Sequence, residues 1–169
     1  MLGIGLLTIA LLTGLIWSSS REATKDKARL SKPLMGEEIV DQGRNHVPDG
    51  TKVDYNSNPP TSGPHYVKPK PAGIYNQGVP DGNLVHSMEH GAVIVWYQSN
   101  LPEDQIDQLK KIYGLADVSK KIMVPRDNLD VSVALTSWGR LLKLQTIDEV
   151  KIKEFIETNN DRAPEKAPI

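Results

Sequence analysis

Histidine, methionine and glutamate meet at one place in this chain, His86-Ser87-Met88-Glu89-His90, directly in front of its most strand-like run, Ala92 to Tyr97. All four histidines, His46, His65, His86 and His90, lie between residues 46 and 90, and the C-terminal half has none. A lone loop histidine ordinarily serves as a hydrogen-bonding residue. Four gathered in one segment beside a strand suit a shared metal ion, and an imidazole-rich set selects zinc or copper. The expected ligands are His65, His86 and His90, with His46 as a fourth. Glu89 is expected to orient a ligand histidine from behind or to make a structural salt bridge.

Two local geometries predict different ligands. A helical turn places His86 and His90 four residues apart on one face, as in helical zinc sites. An extended segment instead puts His86, Met88 and His90 on one face and offers Met88 as a soft ligand to copper(I). Gly91 is able to end a turn before the strand and favours the first geometry, in which Met88 is a core residue. The same letters match the inverted zinc-protease pattern H-x-x-E-H, where Glu89 would activate a metal-bound water. That mechanism needs a longer helix and a third, distant ligand. Ser62-Gly63 beside His65 lacks the strand-turn-helix elbow of a hydroxyl nucleophile, and no glycine loop has phosphate-cradling spacing.

Composition narrows the classes further. With 20 Lys and Arg against 21 Asp and Glu, the net charge is -1 and no basic block stands out, so nucleic-acid binding by counterion release lacks its usual source. There is no cysteine, which removes disulfides, thiolate ligands and cysteine nucleophiles. Soft ligation then falls to methionine or histidine.

The elements that must hold the histidines are legible in part. Residues 1–17 form an uncharged apolar start ending in Trp17. The sixteen residues from Leu2 to Trp17 cover roughly 24 Å as a helix, against a bilayer core of about 30 Å. A single-pass anchor is expected, with a cleaved signal peptide as the alternative. Residues 18–42 read as a polar tether. Basic residues after the apolar run favour a cytoplasmic domain. Gly43 to Gly82 is rich in Pro, Gly, Asn and Asp, yet carries His46, Tyr55, His65, Tyr66 and Tyr75, which predicts a long loop packed over a folded body.

Beyond Ala92 the periodicity is regular. A strand buried on both faces is followed by a helix from Pro102 with Ile106, Leu109, Ile112 and Tyr113 inward and Gly114 as its C-cap. Lys121 to Pro125 predicts a strand, as does Asp130 to Thr136, with Val131, Val133 and Leu135 on one side. Trp138-Gly139 turns the chain into Arg140 to Leu144. Thr146 and Glu149 form a capping box for a last helix carrying Val150, Ile152, Phe155 and Ile156. Asn159 to Ile169 reads as a frayed tail. The fold class is α+β in two layers, a small antiparallel or mixed sheet with helices on one face, in a single globular domain over 43–165 with a tail at 166–169.

Three strings carry a resemblance: Gly43 to Tyr66, GRNHVPDGTKVDYNSNPPTSGPHY; Leu84 to Tyr97, LVHSMEHGAVIVWY; and Leu135 to Arg140, LTSWGR. From Gly43 to Glu165 the chain resembles the domain-of-unknown-function family numbered 3105, whose bacterial and archaeal members often bear one N-terminal transmembrane segment. The resemblance implies a cell-membrane protein with its domain outside the cytoplasm, which outweighs the charge argument. His46, His65, His86, Glu89 and His90 match its motifs, whereas Met88 stands where that family more often has leucine. The resulting expectation is a membrane-anchored, extracytoplasmic domain of the cell envelope that binds zinc or copper through a histidine cluster. A metal-free structural or interaction module of the envelope is the alternative, and a metal-dependent hydrolase the second.

Overall fold

In a computed structural model, which describes residue 24 and residues 26–169, the apolar run after Gly91 becomes a central strand of a mixed sheet. The strands among the described residues are β1 (Glu37–Glu38), β2 (His46–Val47), β3 (His65–Tyr66), β4 (Gly73–Ile74), β5 (Val93–Gln98), β6 (Lys121–Arg126), β7 (Val133–Ser137) and β8 (Arg140–Leu144). Of the helices among the described residues, three join them, α1 (Asp81–Glu89), α2 (Glu103–Leu115) and α3 (Glu149–Asn159). Six strands pair in the order β1-β8-β7-β5-β6-β4, and β2 pairs with β3 alone. The β5–β6 and β4–β6 pairs are parallel; the rest of the large sheet is antiparallel. A parallel pair needs a crossover, and α2 supplies it between β5 and β6.

The chain divides into two units, 1–33 and 34–169. In the first, residues 26–31 are helical and Asp26 pairs with Arg29 at 3.2 Å. The anchor expected over 1–17 lies outside the described residues. No helix among the described residues is long and apolar enough to cross a membrane.

The two-residue side-chain period of a strand divides the core into two faces. Val93, Val95 and Tyr97 of β5 join Val133, Leu135, Leu109, Ile112, Ile152, Phe155 and Ile156, so α2 and α3 cover one face. Ile94 and Trp96 join Ile122, Val124 and Ala134 with Leu84, Val85 and Met88, so α1 covers the other. This corrects the expected two layers: helices lie on both faces. The cause is in β5, whose consecutive apolar residues leave neither side of the sheet fit for water. The α+β class and the mixed sheet stand as expected.

Three local expectations are also corrected. Gly114 lies inside α2, which ends at Leu115 with Ala116 extended; nothing lies within 4 Å of the position a Cβ would take there, and the C-cap role is absent. The cap of the last helix falls two residues after the predicted one: Asp148 is the N-cap and accepts from the Lys151 N–H at 3.0 Å, which displaces Thr146 because aspartate is the stronger cap. Val131 packs with the α1-side cluster, opposite to Val133 and Leu135, because β7 begins only at Val133.

Residues 34–42 do more than tether. β1 pairs with β8, and the buried Asn159 side chain holds Met35 through both backbone groups, accepting from its N–H and donating to its carbonyl at 2.9 Å each. Asn159 Nδ2 also lies 3.0 Å from Ser137 Oγ. Asn159→Ala leaves those backbone groups without a partner and is expected to cost about 2–4 kcal/mol. Urea unfolding checks it, and a loss under about 0.5 kcal/mol would contradict the pinning role.

Candidate metal centre

The long Pro/Gly-rich segment is tied down by hydrogen bonds that its composition alone does not reveal. Gly63 N–H donates to Gly43 O, His65 N–H to Asn45 O and Tyr55 OH to Pro64 O. The β2–β3 bridge sets His46 directly opposite His65. The Ser87 hydroxyl accepts from Lys70 N–H at 2.8 Å, fastening residues near 70 to α1.

Helix α1 starts at Asp81, whose carboxylate favours the positive end of the helix dipole and receives both terminal nitrogens of Arg126, at 2.6 and 3.0 Å. It ends in a Schellman motif: Gly91 N–H donates to Met88 O and Ala92 N–H to Ser87 O, both at 2.9 Å, with Gly91 at φ +97 as the left-handed residue this ending takes. The segment is therefore helical rather than extended. His86 and His90 share a face, and Met88, some 200° round the axis from His86, is fully buried in the apolar cluster with Ile94 and Trp96. The soft-ligand reading of Met88 falls with the extended geometry on which it depended. Gly82 lets β3 approach, since a Cβ there would stand 2.7 Å from the Tyr66 ring.

Loop, strand and helix together bring all four imidazoles within one cluster. Ring centroids are 5.0 Å apart for His46–His65, 4.9 Å for His46–His86 and for His65–His86, and 4.5 Å for His86–His90. His65, His86, His90 and Glu89 are buried, and His46 is at the surface. Three rings are oriented alike. Nδ1 of His65 lies 2.8 Å from Gly63 O, that of His86 2.6 Å from Tyr66 O, and that of His90 2.8 Å from Pro168 O. A carbonyl only accepts, so each Nδ1 carries a hydrogen and each neutral ring presents its lone pair at Nε2.

Those Nε2 atoms converge. His86 Nε2 and His90 Nε2 lie 3.0 Å apart. His65 Nε2 is 3.0 Å from Glu89 Oε2 but has no hydrogen-bond partner, although fully buried: the contact is close without the geometry of a donated hydrogen. Among the described residues, the lysine or arginine nitrogen paired with Glu89 is Arg44 Nε, at 3.9 Å. His46, His65, His86 and Glu89 each offer one donor atom within 4.8 Å of the others, as do Glu89, His90 and Glu165. The group could hold a metal ion.

Glu165 and the three carbonyls were beyond the sequence reading. The segment expected to fray is docked instead: Asp161 N–H donates to Gly91 O at 2.8 Å and Glu165 N–H to Glu89 O at 3.1 Å. That brings Glu165 Oε1 to 3.9 Å from His90 Nε2. A separate groove at the carboxyl ends of β5 and β6, of about 760 Å³, is lined by Trp96, Lys110 and Arg126 among others and includes none of the cluster. Its two cations are paired, Arg126 with Asp81 and Lys110 with Asp107.

A family model described as "Protein of unknown function (DUF3105)" matches residues 46–168. The chain belongs to this family. The DUF3105 match takes in every member of the cluster, from His46 to Glu165, and the Pro168 carbonyl. No curated protein and no solved structure matches the chain.

Burial lowers the pKa of His86, with the neighbouring imidazoles acting in the same direction and the Tyr66 carbonyl opposing. In the metal-free protein this makes acid destabilising: below the ordinary value of 6.5 the unfolded chain binds a proton that folded His86 resists, so stability is lost as pH falls through that range. Urea midpoints of metal-free protein at pH 7.5 and 5.5 should drop toward acid, and His86→Gln should shrink the drop. Equal drops in parent and variant would show that His86 is not the source.

Proposed function

We propose that this domain binds a transition-metal ion, zinc or copper, through His46, His65 and His86 with Glu89 as an oxygen donor and His90 at the same face. The observation that carries the proposal is the 3.0 Å approach of His86 Nε2 to His90 Nε2 while both Nδ1 atoms face carbonyls. Two neutral imidazoles so held point lone pair at lone pair, and a cation relieves this. The buried Glu89 carboxylate is offset only by the half-exposed Arg44 guanidinium at 3.9 Å, and an ion bound at the cluster offsets it directly. The fixed Nδ1–H bonds are the arrangement that orients metal-ligating histidines elsewhere.

The competing reading is a metal-free structural or interaction module, in which the histidines only hydrogen-bond the Pro/Gly-rich loop and the C-terminal segment to the folded body. Metal content separates the two. Purified protein exposed to zinc or copper and then dialysed should retain at least one equivalent by mass spectrometry; none would leave the metal-free module. Glu89→Gln removes a charged oxygen donor and is expected to weaken binding by at least the roughly 10- to 100-fold that loss of a mere ligand-orienting partner costs. If it instead kept full metal content while abolishing hydrolysis of a peptide or ester library by the parent, the hydrolase reading of H-x-x-E-H would replace this one. The apolar run over 1–17 and the family resemblance support a placement in the cell envelope, with the domain outside the cytoplasm and the run as its anchor. Protease accessibility from the outer face of intact cells tests that placement.

A further inference from the structure

Glu165 sits where chain composition gives no reason for it to be fixed, in the Pro- and Ala-containing segment after α3. Its backbone N–H is nonetheless bonded to Glu89 O, and flanking bonds from Asp161 to Gly91 and from His90 Nδ1 to Pro168 O hold the segment on both sides. The result is a second set of donors, His90, Glu89 and Glu165, all within 4.8 Å of one another. Two carboxylates brought this close repel, and one of them, Glu89, is buried. The His90 Nε2 lone pair faces the lone pair of His86 on one side and Glu165 Oε1 at 3.9 Å on the other.

Resting on the metal-binding reading above, we infer that the centre holds two divalent ions, the second bound by His90, Glu89 and Glu165, with the Glu89 carboxylate bridging. The first set, three imidazoles and one carboxylate, already supplies the four donors that a closed zinc site takes. It has no need of His90 or Glu165. Carboxylate-bridged pairs of ions about 3.5–4 Å apart are a recurring arrangement, and a side chain common to two adjoining donor sets is the geometric requirement for one. The chemistry of the two positions differs. The nitrogen-rich set favours zinc or copper, whereas one imidazole with two carboxylates is a harder site that also suits manganese(II) or iron(II).

Glu165→Gln is the decisive substitution, because the side chain is about half exposed and its backbone bond to Glu89 survives the change. Equilibrium dialysis against zinc(II) alone, and against zinc(II) with manganese(II), should give two ions per chain for the parent and one for Glu165→Gln. Cobalt(II)-loaded parent should show an exchange-coupled pair by electron paramagnetic resonance, and the variant an isolated ion. One ion in parent and variant alike overturns the inference and leaves the single-ion reading standing. Two uncoupled ions, or two retained by Glu165→Gln, also overturn it by placing the second ion elsewhere. No ion in the parent overturns both readings together.

Discussion

Changing His86 and His90 together to alanine abolishes stoichiometric metal binding and removes the response of the melting temperature to zinc. The two rings lie on one face of α1 with Nε2 atoms 3.0 Å apart, so the double change takes out the ligands that the helix itself positions. A ligand that binds only the folded state adds about 2.7 kcal/mol at one hundred times its Kd. For a domain of this size that is roughly 5–10 °C of melting temperature, which the parent should gain with zinc and lose with chelator. The variant should melt at one temperature under both conditions. If parent and variant are equally indifferent to chelator while the variant is simply less stable, the imidazoles are hydrogen-bonding residues of a metal-free module.

Gly91→Ala is the second large effect, and it acts through the backbone. Gly91 stands at φ +97, where an L side chain costs about 1–2 kcal/mol. A Cβ there would come within 2.8 Å of Asp161 Cα, a backbone atom unable to swing aside. Overpacking of that kind adds about 1–3 kcal/mol, for a total of about 3 kcal/mol. Because Asp161 N–H is bonded to Gly91 O, the shift carries the segment with Glu165 and the Pro168 carbonyl away from His90. Metal affinity should therefore fall along with stability. Denaturant unfolding and zinc titration together check this; unchanged affinity at reduced stability would show that the docked segment does not support the centre.

The parts of this molecule that repeat along the chain were legible in the sequence, and the parts that depend on register between short segments were not. The β5 run, the apolar face of α2 and the β7–β8 hairpin follow from periods of 2 and 3.6. The i, i+4 pair His86 and His90 needed only a helix ended by Gly91. Coverage of the second sheet face was hidden because α1 is short and divides its nine residues between core side chains, Leu84, Val85 and Met88, and the cluster. The pairing of His46 with His65 rests on a two-residue parallel bridge, which leaves no pattern in composition. Glu165 was invisible for the same reason: backbone hydrogen bonds dock it, and any sequence without proline at those donors could make them.

Anomalous diffraction at the zinc edge from crystals grown with zinc locates the ion itself. A peak is expected about 2.0–2.1 Å from Nε2 of His65 and of His86, with Nδ1 of each still on its carbonyl. A structure with no peak at the cluster, and with His86 Nε2 and His90 Nε2 still 3.0 Å apart, would contradict metal binding there.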